Sequence, residues 1–254
     1  MTSSTQNPVA PRDAQPPAPS VTPADRSLRH AAITAGIGLL VMSVLGGTAT
    51  FIAINGLVTP GDAAQTVTDI SASADLFRVG IASLFVVIAL DVVVACGLYR
   101  VFSPVSRSIS MVAAAFRLVY AGVYLAAAGE LLGVLRLLGD DGYLSVIDAE
   151  QRHAQALLGV TAFNDLWMLG LGLFGLHLLL EGYLANRSAG VPRWLGVLIA
   201  VAGLGYLIDT FGVVLSAGTW TPVAMFTFVG EFLLALWLVI RGRRITASGI
   251  AATR

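Results

Sequence analysis

The chain has 254 residues, 56% of them apolar and only 12% charged, with a mean hydropathy of +0.82; globular domains carry about a quarter charged residues, so a soluble domain is excluded. Every basic side chain is an arginine and the formal net charge is zero, which removes the electrostatic footprint of a nucleic-acid binder and any lysine Schiff base, a retinal linkage included. A single cysteine, Cys96, excludes an intramolecular disulfide or a two-thiol relay and reads as a small packing residue.

In chain order, residues 1–26 ("MTSSTQNPVAPRDAQPPAPSVTPADR") hold six of the ten prolines. That composition builds no core and lacks the apolar run of a cleavable signal, so a disordered Pro-rich cytoplasmic tail is expected over 1–28. Apolar runs follow at about 31–57, 76–101, 108–137, 160–186, 194–215 and 221–241, each close to the ~20 residues that cross ~30 Å of hydrocarbon as helix. The expected fold is all-α: a six-transmembrane-helix bundle over 29–244, then a cytoplasmic C-terminal tail at 245–254.

Arginine placement orients the bundle. With the N-terminus inside, eleven arginines lie on the cytoplasmic side (12, 26, 29, 100, 107, 187, 193, 241, 243, 244 and 254) and three outside (Arg78, Arg136, Arg152). The positive-inside rule therefore puts both termini in the cytoplasm. In the outer loops, Asp62 can cap a short helix with Gln65 three residues on, and Ser145 can do the same with Asp148, so two short interfacial helices are expected, the second running into span four. The tight inner links "SPVSR" and "NRSAGVPR" make spans two and three, and four and five, antiparallel neighbours. "DLFRVG" at 75–80 and "DLWMLG" at 165–170 echo each other, as a parallel repeat of those hairpins would. The pairs Gly122/Ala126, Gly129/Gly133 and Gly196/Ala200 have the spacing of close helix contacts, and Trp194, Trp220 and Trp237 fall near span ends as an aromatic belt.

Depth follows from counting along each helix from its cytoplasmic arginine. Asp91 is nine residues from Arg100, Arg117 ten from Arg107, His177 ten from Arg187 and Glu231 ten from Arg241. At 1.5 Å per residue this is roughly 14 to 15 Å, half the ~30 Å hydrocarbon thickness. Charge at that depth costs several kcal/mol unless it is paired or wet, so the four should form a central polar cluster. Asp91 and Arg117 are expected to pair. Glu231, with Ala224, Thr227 and Ala235 on its face, is the expected second partner of Arg117 or of His177, and Glu181 lies one turn from His177. A protonated His177 would cancel the layer's single net negative charge. Glu130, and Asp165 with Asn164, fall near the outer boundary and read as capping or solvated groups; Asp209, beside Tyr206 and Gly205, is deeper, and its face leaves space for a neighbour or ligand. The ligand or proton-binding candidates are Asp91, Arg117, His177, Glu181, Glu231 and Asp209.

No metal site is expected, because His177 is the sole histidine within a span, no HExxH occurs and Arg117 shares its level. The same shortage removes a bis-histidine haem, and no GxSxG frames Ser43 or Ser83 as a nucleophile. The sequence names no cofactor. Three readings stay open: a small ligand or proton handled by the cluster, a membrane enzyme acting on a lipid or prenyl substrate, or a structural or regulatory subunit in which the layer locks the bundle. The bilayer is the expected partner, and homo-oligomerisation is left open.

The stretches "TPGDAAQTVTDI", "ADLFRVGIAS", "LYRVFSPVSRSISMVAAAFRLVYAG" and "FGLHLLLEGYLANRSAGVPRWLGVLIAVAGLGYLID" resemble a bacterial family described as domain of unknown function 4386, over most of residues 33–240. The resemblance implies a multi-pass protein of the bacterial cytoplasmic (inner) membrane and brings no catalytic residue with it.

Overall fold

The computed structural model describes residues 22–139, 142–216, 220, 221, 223 and 228–251. Most of the Pro-rich tail lies outside them. Helix α1 spans Pro23–Gly47, ahead of the expected boundary at 29, and local chemistry sets its start: the Thr22 hydroxyl accepts from Asp25 N at 3.1 Å while the Asp25 carboxylate accepts from Thr22 N at 3.3 Å, a reciprocal cap with proline in the first turn. The helix runs on through a π turn, Thr48–Ile54, and a 3₁₀ turn, Asn55–Leu57. Helix α2 (Ala63–Ala72) is capped by Asp62, which accepts from Gln65 N at 2.9 Å. Long helices α3 (Ala74–Phe102) and α4 (Arg107–Leu137) follow. Between α4 and the next long helix the cap is Asp148, accepting from Gln151 N at 2.8 Å, rather than Ser145, whose hydroxyl donates to Gly142 O within a 3₁₀ turn. The expected short helix and span four merge into α5, Ala149–Arg187. Pro192 precedes α6 (Arg193–Leu215), and α7 (Val229–Arg241) and α8 (Ala247–Ile250) complete the described chain.

The long helices close into a ring in chain order: α1 packs on α3, α3 on α4, α4 on α5, α5 on α6, α6 on α7, and α7 back on α1. Five stretches, 23–57 and α3 to α6, are long and apolar enough to cross a membrane. The outer surface is correspondingly apolar, with Val44, Phe51, Phe85, Val119 and Phe211 all exposed, a belt that water would penalise and lipid would not. The expected sixth span is described at residues 221 and 223 and from Phe228 on, with the 13-residue α7 as its helix; residues 222 and 224–227, with Ala224 and Thr227, lie outside the description.

Glycine decides how tightly the ring closes at two seams. Along α5 and α6, a Cβ on Gly175 would sit 2.7 Å from Gly203 O and one on Gly203 2.7 Å from Gly175 O, while Gly182 faces Gly196 O at 2.8 Å. Where α1 meets α7, a Cβ on Gly36 would lie 2.8 Å from Leu238 Cβ. The Gly196/Ala200 expectation holds at the first seam. Gly122, Gly129 and Gly133 have nothing within 4 Å of an added Cβ, which corrects the other two pairs: the spacing is right, but it sits on the outward face of α4.

Part of the expected C-terminal tail is folded. Asp25 accepts from Ala247 N at 2.9 Å, Arg29 donates to Ile245 O at 3.0 Å, and the buried Ser188 hydroxyl donates to Ile250 O at 2.9 Å. Residues 245–251 thereby tie the start of α1 to the α5–α6 turn.

Candidate functional site

Helical periodicity brings the polar groups together. On α4, Arg117, Tyr120 and Tyr124 recur at intervals of three and four; on α5, Trp167, Phe174, His177 and Glu181 share one face. These faces meet inside the ring, and α3 adds Asp91, α6 adds Tyr206 and α7 adds Glu231.

Arg117 is the hub. It is 1% exposed, as is Asp91, and its Nη2 lies 2.7 Å from Asp91 Oδ1. The contact is a close ion pair rather than an aligned hydrogen bond, since neither Asp91 oxygen meets hydrogen-bond geometry with a described residue. Arg117 Nη1 lies 3.2 Å from His177 Nε2, and its guanidinium carbon is 5.0 Å from the Phe174 ring centroid, a cation–π contact. His177 Nδ1 in turn lies 2.9 Å from Ala113 O. A carbonyl only accepts and a guanidinium only donates, so the hydrogen-bond network assigns the proton to Nδ1 and leaves Nε2 as acceptor. A protonated ring would aim an N–H at Arg117. Protonating His177 to cancel the layer's charge would thus cost the Arg117 contact.

The carboxylates divide differently than expected. Glu181 is 1% exposed and neither of its oxygens has a hydrogen-bond partner among the described residues; it does not reach His177, whose ring nitrogens are both engaged. Glu231 lies beside Tyr206 and forms no ion pair with Arg117 or His177, and its buried Oε1 has no hydrogen-bond partner among the described residues. Asp209, whose face was expected to leave space for a neighbour or ligand, is 1% exposed and holds neighbours: its Oδ1 accepts from Trp220 Nε1 at 2.9 Å and from Val223 N at 2.7 Å, so it fastens the chain beyond α6. The open apolar groove lined by Leu207, Phe211, Gly212 and Trp220 runs beside the second half of α6 and includes none of the cluster. Glu130 and Asp165 are exposed, whereas Asn164 exchanges paired side-chain hydrogen bonds with Asn55, both at 3.1 Å. Among the described residues no group of three His, Cys, Asp or Glu side chains is placed to hold a metal.

An aromatic column above the cluster escaped the reading from charges. Phe174 lies 4.9 Å from Tyr120 and 5.6 Å from Tyr206 between centroids; Tyr120 stacks on Tyr124 at 5.7 Å, and Tyr124 on Trp167 at 6.1 Å. Trp167 Nε1 donates to Tyr120 OH at 3.4 Å, and the Tyr124 hydroxyl lies 3.4 Å from Thr50 Oγ1 in the π turn. Its signal was present in sequence, in the spacing of Tyr120 three residues and Tyr124 seven residues after Arg117. The π turn, a feature found frequently at functional sites, had none.

Residues 34–242 match the family described as "Domain of unknown function (DUF4386)". An uncharacterized protein of Archaeoglobus fulgidus is 37% identical over 166 residues, 65% of this chain and 85% of its own length; similar chains are thus not confined to bacteria. No solved structure matches.

Proposed function

Because the chain belongs to the DUF4386 family, whose description carries no activity, we propose from the geometry that it is an integral membrane protein that binds or moves a small ligand or proton through the polar interior of its helix ring. In this reading it crosses a cytoplasmic membrane six times with both termini inside, the arrangement that its arginine distribution favours.

The observation that carries the reading is a surplus of buried carboxylate. A register lock accounts for Asp91, Arg117 and His177, which the 2.7 Å ion pair and the 3.2 Å Arg117–His177 contact hold together. It does not account for Glu181 or for Glu231 Oε1, which lack hydrogen-bond partners among the described residues. A buried, unpaired acid costs several kcal/mol, and a purely structural layer would be more stable with apolar side chains there. Intramembrane acids on facing helices are what ligand and proton pathways use.

The test is aqueous access. Cys96 is exposed, so Cys96→Ala gives a thiol-free background into which cysteines are placed at Val87 and Leu173, each about one helical turn from Asp91 or His177. Labelling by a membrane-impermeant thiol reagent from one side, in intact cells or in inverted vesicles, supports a water-filled approach to the cluster. Folded protein that labels from neither side sinks the proposal and leaves the lock.

A further inference from the structure

Resting on that reading, we propose that Glu181 is a proton-binding site, its carboxyl exchanging one proton with water reached from the Arg187 end of α5.

The ligand's chemistry follows from what surrounds the acid. An anion is repelled by the carboxylate, and the one guanidinium at this level, Arg117, is already paired with Asp91. A metal cation needs several donors, four for zinc and six or more for calcium. The neighbouring donors are committed: His177 Nδ1 to Ala113 O, His177 Nε2 to Arg117, Asp91 to Arg117. Among the described residues no three His, Cys, Asp or Glu side chains converge. The proton is the cation that asks for a single oxygen and no coordination shell, and Glu181 offers two oxygens free of hydrogen bonds.

Position supports the same assignment. Glu181 sits one turn beyond His177, and the six residues separating it from Arg187 correspond to roughly 9 Å along the helix; Arg187 is exposed, above the Tyr183 ring. Among the described residues, the charged and titratable groups of the ring interior are Arg117, Tyr120 and Tyr124 on α4, Asp91 on α3, Tyr206 on α6 and Glu231 on α7, with His177 on α5 itself. Arg117 is the one that acts on Glu181 electrostatically. Since Arg117 is matched by Asp91 and His177 is neutral in the hydrogen-bond network, a proton arriving at a Glu181 oxygen makes the local charge one unit less negative, and its departure to water restores it.

The experiment is infrared difference spectroscopy of the full chain in lipid nanodiscs, between acidic and alkaline buffer, in H₂O and D₂O. The expected result is a protonated-carboxyl C=O stretch that fades as pH rises, shifts in D₂O, disappears in Glu181→Gln and persists in Glu231→Gln. Glutamine reproduces the neutral acid's shape, so Glu181→Gln should elute as the wild type does; Glu181→Asp, which keeps a carboxyl, should move the band without abolishing it. A band unchanged in Glu181→Gln, or one indifferent to pH and D₂O, overturns the assignment. Labelling at Val87 with no titrating Glu181 band would remove this inference alone, whereas a titrating band without labelling would remove the wider cavity and leave the acid as the site.

Discussion

Removing the charge of Asp91 leaves Arg117 buried beside a neutral imidazole and an aromatic face. At the observed 2.7 Å separation, Coulomb's law with an effective dielectric near 20 gives roughly 6 kcal/mol of attraction. Much of that offsets the desolvation of the two ions, so the pair as a whole contributes little relative to an apolar pair. The asymmetry is what can be measured. Asp91→Asn should destabilise by about 3 to 5 kcal/mol, the cost of stranding a buried charge, whereas Asp91→Asn combined with Arg117→Met should recover most of it. Glu181 and Glu231 partly compensate the stranded guanidinium, which places the expected loss near the lower figure. The assay is reversible unfolding in mixed micelles by a denaturing detergent, followed by circular dichroism for wild type, both singles and the double. A single-mutant cost below about 1 kcal/mol, the range of solvated ion pairs, would refute the buried lock, as would a double mutant no better than Asp91→Asn.

Gly175→Ala and Gly203→Ala should each cost about 1 to 3 kcal/mol by forcing the α5–α6 seam apart, while Gly122→Ala and Gly129→Ala on the open face of α4 should stay within about 0.5 kcal/mol, all read by the same unfolding assay. Asp209→Ala should strand the Trp220 and Val223 N–H groups and cost about 1 to 3 kcal/mol; the check is faster proteolysis between residues 216 and 228, which Asp209→Asn, keeping an acceptor oxygen, should largely avoid. His177→Phe should remove the acceptor on Arg117 Nη1 at a cost of about 1 to 3 kcal/mol, whereas His177→Gln, which keeps an acceptor, should lose less in the same titration. Deleting residues 245–254 should free the α5–α6 turn, seen as faster hydrogen exchange at Ala189 and Gly190, with α3 and α4 unchanged.

What was legible in the sequence follows the range of the interaction that fixes it. The helices were legible because length and hydropathy are local, and the Asp91–Arg117 pair because a four-residue link between α3 and α4 makes equal depth imply contact. Glu231 was placed at the right level but given the wrong partner, since counting residues yields depth and not azimuth; Tyr206 reaches it first. Azimuth also misled the reading of Gly122 and Gly129, whose spacing suits a seam but whose face points outward. Asp209 depended on Trp220 and Val223, eleven and fourteen residues further on, and contacts at such separations leave no periodic trace. Nothing in "TATFIAI" distinguishes the π turn at Thr48–Ile54 from ordinary helix.

Ring closure by α7 against α1 has a consequence for biogenesis. The ribosome delivers α1 to α6 before α7, so the nascent bundle exists for a time with one side open and Gly36 of α1 uncovered. The α3–α4 hairpin can neutralise its own charges as it leaves the insertion machinery, because Asp91 and Arg117 travel together. Tyr206 has no such local companion: its partner Glu231 arrives with the closing helix. Premature termination ahead of α7 would therefore yield an inserted but unsealed protein, a substrate for membrane quality control rather than a smaller working unit.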